Sequence, residues 1–266
     1  STPATNVILS VFIGLHTVAL YANYLLITNA LQRLISRVFD ATVASIGNLG
    51  VEETQEKQLR VFNLTFYVNA CLALVSIPLL AIFTNAMHVF FGEQYVFPVS
   101  IELAIVCLFY LKAIRTAALT FTSAYGLYWF TRWKAIIETI VLIGLSIIAA
   151  QLFGIIGILI ANCFTSFFVS GAIEAYMLYK HGFKVSSRGY FLKITAYSIA
   201  TIGGTLLVWF LLYPIGNTTL TSLLLRGIAS FALSIVMFFG ATCWTSEFKE
   251  FWKMLKAIYV MLKRKA

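Results

Sequence analysis

The sequence predicts an all-α fold, a polytopic transmembrane helix bundle. Three observations carry that prediction. Of the 266 residues, 61% are hydrophobic and only 11% are charged, whereas a soluble domain carries about 25% charged residues. The apolar residues gather into repeated runs close to the ~20 residues that a helix needs to cross a bilayer. The links between the runs alternate between basic and uncharged. Backbone groups in lipid must be satisfied within their own segment, so such runs are helices. The alternating ten-residue pattern of a membrane β-barrel is missing.

Eight hydrophobic segments follow in order. The first, about 5–14, is a short piece cut off by Gly14. It reads as the tail of a longer helix, so the expectation is a chain that forms the C-terminal portion of a larger protein. The second, 16–47, contains no proline and reads as one helix. The polar stretch GVEETQEKQLR comes next, with Glu52, Glu53 and Glu56 as a solvated helix start. The third segment covers about 60–86, with a kink expected at Pro78. The link MHVFFGEQYVFP leads to the fourth, 98–122, and SAYGLYWFTRWK to the fifth, 134–151. A tight turn around Gly154 and Gly157 opens the sixth, which runs to about 179. The seventh covers 190–213 and the eighth 218–243, so seven full spans and a stub are expected.

The net charge of +9 would suggest nucleic acid in a soluble protein. Here its distribution is that of membrane topology and lipid-surface contact, and no nucleic-acid partner is expected. Of the 19 basic residues, all but Arg33, Arg37, Lys112, Arg115 and Arg226 fall in alternate links or in the tail. The opposite links, around 87–97, 151–155 and 214–218, carry none. The positive-inside rule then makes the basic links and the C-terminus cytoplasmic. In the tail, 246–265, Phe248, Phe251, Trp252, Leu255, Ile258, Tyr259 and Leu262 recur at spacings of 3 and 4 between lysines. That pattern is an amphipathic helix lying on an anionic leaflet.

The second segment holds the candidate site. At ~100° per residue, Arg33, Arg37 and Asp40 share an arc of roughly 60° with Asn29 beside them. A charge at the bilayer centre costs about 2.5–3.5 kcal/mol on insertion scales, so this face must turn to water, to partners or to a ligand. The alternative is a structural Arg37–Asp40 pair at i,i+3, which leaves Arg33 unmatched. Lys112 and Arg115 lie mid-segment in FYLKAIRTAALTF. All five residues are expected to border one watery cavity, with Arg33, Arg37 and Asp40 facing the same side as at least one of Lys112 and Arg115. Arg226 is near an outer end and can snorkel. Glu102, Glu138 and Glu174 read as partner or interface residues. The four cysteines and three histidines are scattered, with no metal spacing, and no nucleophile–base grouping, phosphate loop or paired carboxylates appear. No cofactor is expected. Buried cations without a nucleophile point to moving or holding an anion, through guanidinium forks on phosphate or carboxylate.

The stretches NVILSVFIGLHTVALYANYLLITNAL, ATVASIGNLG, FFGEQYV, FYLKAIRTAALTFTSAYGLYWFTRWKAIIE and GIIGILIANCFTSFFVSGAIEAYMLYK stand in this order between about 5 and 183. They resemble bacterial polysaccharide flippases, the O-antigen, capsule and exopolysaccharide transporters of the multidrug/oligosaccharidyl-lipid/polysaccharide superfamily. ASIGNL and AYGLYWFTRWKAIIE are the most specific parts, and neither is a catalytic motif. The resemblance implies two six-helix lobes facing a central cavity, plus two extra C-terminal helices. Residues 1–183 would then belong to the second lobe, 184–245 to the two extra helices, and 246–266 to the cytoplasmic tail. It implies a non-enzymatic transporter in the bacterial plasma membrane that carries undecaprenyl-diphosphate-linked oligosaccharide between leaflets, with polysaccharide polymerase machinery as a partner. Carried over by position, Arg33, Arg37, Lys112 and Arg115 would meet the diphosphate or acidic sugars. A cation-coupled exporter of the same superfamily would need a cavity carboxylate, for which Asp40 is the candidate. A membrane scaffold or transferase is the alternative from another class.

Overall fold

The computed structural model describes residues 2–212 and 219–265, with backbone alone at 2–4, 258–259, 261–262 and 264–265. The uncharged link at 214–218 and the side chains of Ile258, Tyr259 and Leu262 therefore lie outside the described residues. The described residues form helices and turns without a strand. Five helical stretches are long and apolar enough to cross a membrane: Gln55–Phe91, Val99–Ala124, Tyr128–Phe183, Arg188–Leu212 and Leu220–Thr242.

The first helix, α1 (Thr2–Phe12), turns into α2 (Leu15–Asp40) at Gly14, whose φ of 110° suits glycine. At 26 residues α2 is long enough to span, but it stands outside the five apolar stretches. The single helix expected over 16–47 is interrupted. The Thr42 hydroxyl and amide both donate to the Phe39 carbonyl, at 2.7 and 2.9 Å. That i,i+3 closure tightens the end of α2, and α3 (Val43–Glu52) starts anew.

Helices α4 (Gln55–Ala73) and α5 (Ser76–Phe91) form one bent stretch. The bend falls at Leu74–Val75, ahead of Pro78. Proline obstructs the carbonyl four residues before it, which is that of Leu74, and Leu74 O instead accepts from the Ile77 amide at 2.9 Å. Helices α6 (Val99–Ile114) and α7 (Thr116–Ala124) meet at Arg115, and a one-turn α8 (Tyr128–Thr131) follows.

Helix α9 (Lys134–Phe164) reverses at Gly154, with φ 61° and ψ −138°. Lys134 and Glu174 stand equally far from that glycine in sequence, and their side chains form an ion pair. Across an unbroken helix they would lie ~60 Å apart. The expected turn is thus a helical hairpin. Gly157 closes it, because a Cβ there would lie 2.1 Å from Ala149 O. Gly157→Ala is expected to destabilise the protein by about 1–3 kcal/mol through overpacking. Gly144, which has nothing within 4 Å of its Cβ position, should tolerate alanine; melting temperatures of both variants in detergent check this.

The return leg runs through π-helical Thr165–Gly171, α10 (Ala172–Met177) and π-helical Leu178–Phe183. Helices α11 (Arg188–Leu212) and α12 (Leu220–Thr242) pack on α5, and α12 starts at a capping box between Thr219 and Ser222.

The basic links gather at one end of the bundle. Tyr125 Oη donates to Gln58 Oε1 at 3.1 Å, and Gln55 donates to the Phe183 carbonyl. An aromatic cluster of Phe62, Phe66, Phe121, Tyr179, Phe183 and Tyr190 fills this end, with centroids 5.0–6.2 Å from Phe62. The tail helix α13 (Ser246–Lys265) does not continue α12, since the chain turns between them and Thr245 N donates to Thr242 O. Instead α13 docks on the bundle through Arg60–Glu250 at 2.7 Å, Lys193–Glu247 at 2.6 Å and Phe251 against Tyr67.

Burial pushes the Glu247 carboxyl up, but hydrogen bonds from Lys193, its own amide and Ser246 outweigh it and leave the group below its ordinary 4.5. A depressed folded-state pKa contributes stability that is present above the unfolded value and is lost as pH falls through the folded one. The docked tail should therefore loosen below pH ~4.5, less so in Glu247→Gln. Limited proteolysis of the tail against pH measures this.

Candidate functional site

Helix α2 buries Tyr21, Tyr24, Leu25, Thr28, Ile35 and Phe39 against the bundle. Its opposite face, Ala19, Ala22, Leu26, Arg33, Arg37 and Asp40, is exposed. Spacings of 3, 4 and 7 put these residues on one stripe. The clustering expected of the three charges is thus present on an open surface. Among the described residues, none of the three has an ion-pair partner. The structural Arg37–Asp40 pair is not formed.

Their position along α2 follows from its two ends. Gly14 lies beside the Gly154 reversal, with Ile13 Cδ1 3.9 Å from the Gly154 Cβ position. Both turns mark the end of the bundle opposite the basic links. At 1.5 Å per residue, Arg33 lies roughly 28 Å from Gly14 along α2, Arg37 roughly 35 Å and Asp40 roughly 39 Å. All three therefore lie toward the end of α2 that faces the basic links.

Lys112 reaches α2 from the side. It is half-buried in a narrow cleft with Tyr21, Leu25, Thr28, Asn29 and Gln32. Asn29 sits between this cleft and the stripe of charges. Gln32 Nε2 donates to Thr116 Oγ1 at 3.2 Å, while Gln32 Oε1 is buried with no partner among the described residues. Glu138, on the outgoing leg of α9, is in electrostatic range of Lys112.

Arg115 is elsewhere. Its Nε and Nη2 grip the two carboxylate oxygens of Glu174 at 3.0 and 2.6 Å, and Nη1 donates to Ser166 O and Oγ at 3.0 and 2.9 Å. Lys134 joins the same carboxylate. Expected in the cavity, Arg115 is instead buried in an ion cluster that ties the α6–α7 junction to the α9 hairpin. Arg226, expected to snorkel, is buried, and its Nε and Nη2 donate to the Leu212 carbonyl at 3.3 and 3.0 Å. It caps the end of α11.

Glu102, read from the sequence as a partner or interface residue, joins α2 to α5, although the sequence did not name its partners. Glu102 is buried and accepts from Tyr24 Oη at 2.9 Å and Thr84 Oγ1 at 2.7 Å, while Tyr24 Oη accepts from the Phe97 amide at 2.9 Å. Cys163 Sγ donates to the Ala104 carbonyl at 3.7 Å. No group of three metal-ligating side chains occurs among the described residues.

Compared with protein-family models, with curated proteins and with solved structures, the chain matches none. Its all-α fold and five apolar stretches define a multi-pass membrane protein.

Proposed function

We propose that this chain belongs to a flippase for undecaprenyl-diphosphate-linked oligosaccharide in the bacterial plasma membrane. One observation carries the reading: Arg33 and Arg37, without ion-pair partners among the described residues, lie on the open stripe of α2 toward its basic end, with Lys112 at its flank. With Gly14 at one face of a ~30 Å hydrocarbon core, the stripe would meet the headgroup level where a diphosphate in the other leaflet lies. A guanidinium fork can hold two of its oxygens, and a lysine adds a point charge within the membrane. The basic end is then cytoplasmic, and the lysines of α13 contact anionic lipid. The stripe loads the headgroup from the inner leaflet, and Lys112 receives it further along the path. Polysaccharide polymerase machinery is the partner that would take the delivered product.

A second reading, a cation-coupled exporter, gains from Glu102, a buried carboxylate whose side-chain partners are two hydroxyls. The test is reconstitution of the protein from its complete coding sequence in liposomes, with a diphosphate-linked short oligosaccharide in one leaflet. Enzyme accessibility then reports translocation. Transfer that needs Arg33 and Arg37 supports the flippase. Transfer of cationic drugs in their place, dependent on Glu102, supports the exporter.

A further inference from the structure

We infer a second, separate site: a cleft at the basic end that holds the headgroup of an anionic membrane phospholipid. It does not rest on the flippase reading. The cleft is lined by Leu119, Thr122, Ser123, Tyr128, Arg132 and Lys134, with Glu174 at its floor. Two cations, Arg115 and Lys134, pair with the Glu174 carboxylate, and a third, Arg132, lines the same cleft. Glu174 is consumed: both of its oxygens take Arg115, and Oε1 also takes Lys134. The cleft therefore presents net positive charge.

Donors remain for a phosphate. An ammonium carries three N–H groups, and Glu174 occupies one of those on Lys134. The Arg132 guanidinium lies over the Trp129 ring at 3.8 Å, which orients it and leaves its edge N–H groups to other acceptors. Ser123 Oγ accepts from Tyr128 Oη at 2.6 Å, which leaves the serine hydrogen to donate. The surroundings select a lipid over a soluble anion. Trp129 and Trp133 are 69% and 59% exposed beside the cleft, as in the aromatic belt at headgroup level. Leu119, 38% exposed, continues the lining as an apolar wall.

Native mass spectrometry of the purified protein tests this, with phosphatidylglycerol or phosphatidylcholine as the offered lipid. The wild type should retain one phosphatidylglycerol in preference to phosphatidylcholine. Arg132→Ala should lower that retention about tenfold, the expected loss of one charged hydrogen-bonding group, and Ser123→Ala less. Among the described residues Arg132 makes no ion pair and lies over the Trp129 and Trp133 rings, so the variant should keep the wild-type melting temperature. Arg188→Ala, a change at the same end outside the cleft, should leave retention unchanged. Equal retention of both lipids, wild-type retention by Arg132→Ala, or an equal loss in Arg188→Ala overturns the site. Displacement of phosphatidylglycerol by millimolar inorganic phosphate shows the ligand to be a soluble anion and overturns the lipid assignment.

Discussion

Arg37→Ala and Lys112→Ala should each cut export of the lipid-linked oligosaccharide roughly ten- to hundredfold, since a hydrogen bond to a charged group contributes about 1.5–3 kcal/mol. Membrane protein level should stay near normal in cells carrying the complete coding sequence. The structure sharpens this expectation for Arg37. Its side chain is exposed and pairs with no carboxylate among the described residues, so its removal strands no buried charge. Arg37→Lys should fall between alanine and wild type, because charge remains while the bidentate grip is lost. If Arg37 were instead a structural partner of Asp40, Arg37→Ala would destabilise the protein and adding Asp40→Ala would restore it. We expect the double variant to match Arg37→Ala in export. Surface polysaccharide and membrane protein level, measured together, decide. Recovered export in the double variant removes Arg37 from the substrate path.

The helices were legible because bilayer physics leaves so few options. Apolar runs must be helical, and the alternation of basic links fixed which turns share an end. Gly154 and Gly157 were legible as a reversal because glycine tolerates what a Cβ would block there. The stripe of Arg33, Arg37 and Asp40 followed from periodicity alone. What escaped depends on tertiary approach. Arg115 and Lys112 are three residues apart, and nothing local says that one meets Glu174 while the other meets Gln32 and Asn29. The position of the stripe toward the basic end of the bundle also escaped. It depends on Gly14 lying beside Gly154, a contact between segments 140 positions apart. The stretches ASIGNL and AYGLYWF were singled out by resemblance, and the structure gives them a packing reason. Gly47 and Gly50 of α3 lie against Ala124 and the Tyr125 ring, where a Cβ on Gly50 would come within 2.7 Å.

Glu174→Ala should be the most damaging single substitution for folding. It leaves the Arg115 guanidinium buried without a counter-charge, and breaking such a pair from one side costs about 3–5 kcal/mol, a large share of a total stability of about 5–15 kcal/mol. Arg115→Met should cost less, because Lys134 still neutralises Glu174. Glu174→Gln should lie between, since an amide oxygen still accepts one hydrogen bond while the charge is gone. The paired change Arg115→Met with Glu174→Met should recover most of the loss, because no buried charge is then stranded and Lys134, 21% exposed, can extend to water. Thermal melting of these variants and of Glu174→Met in detergent gives the cycle, and its coupling term isolates the pair. The order matters more than any single value. If Glu174→Ala melts no lower than Arg115→Met, Glu174 is not what neutralises this cluster. The join between the α6–α7 junction and the α9 hairpin would then rest on the apolar packing around it.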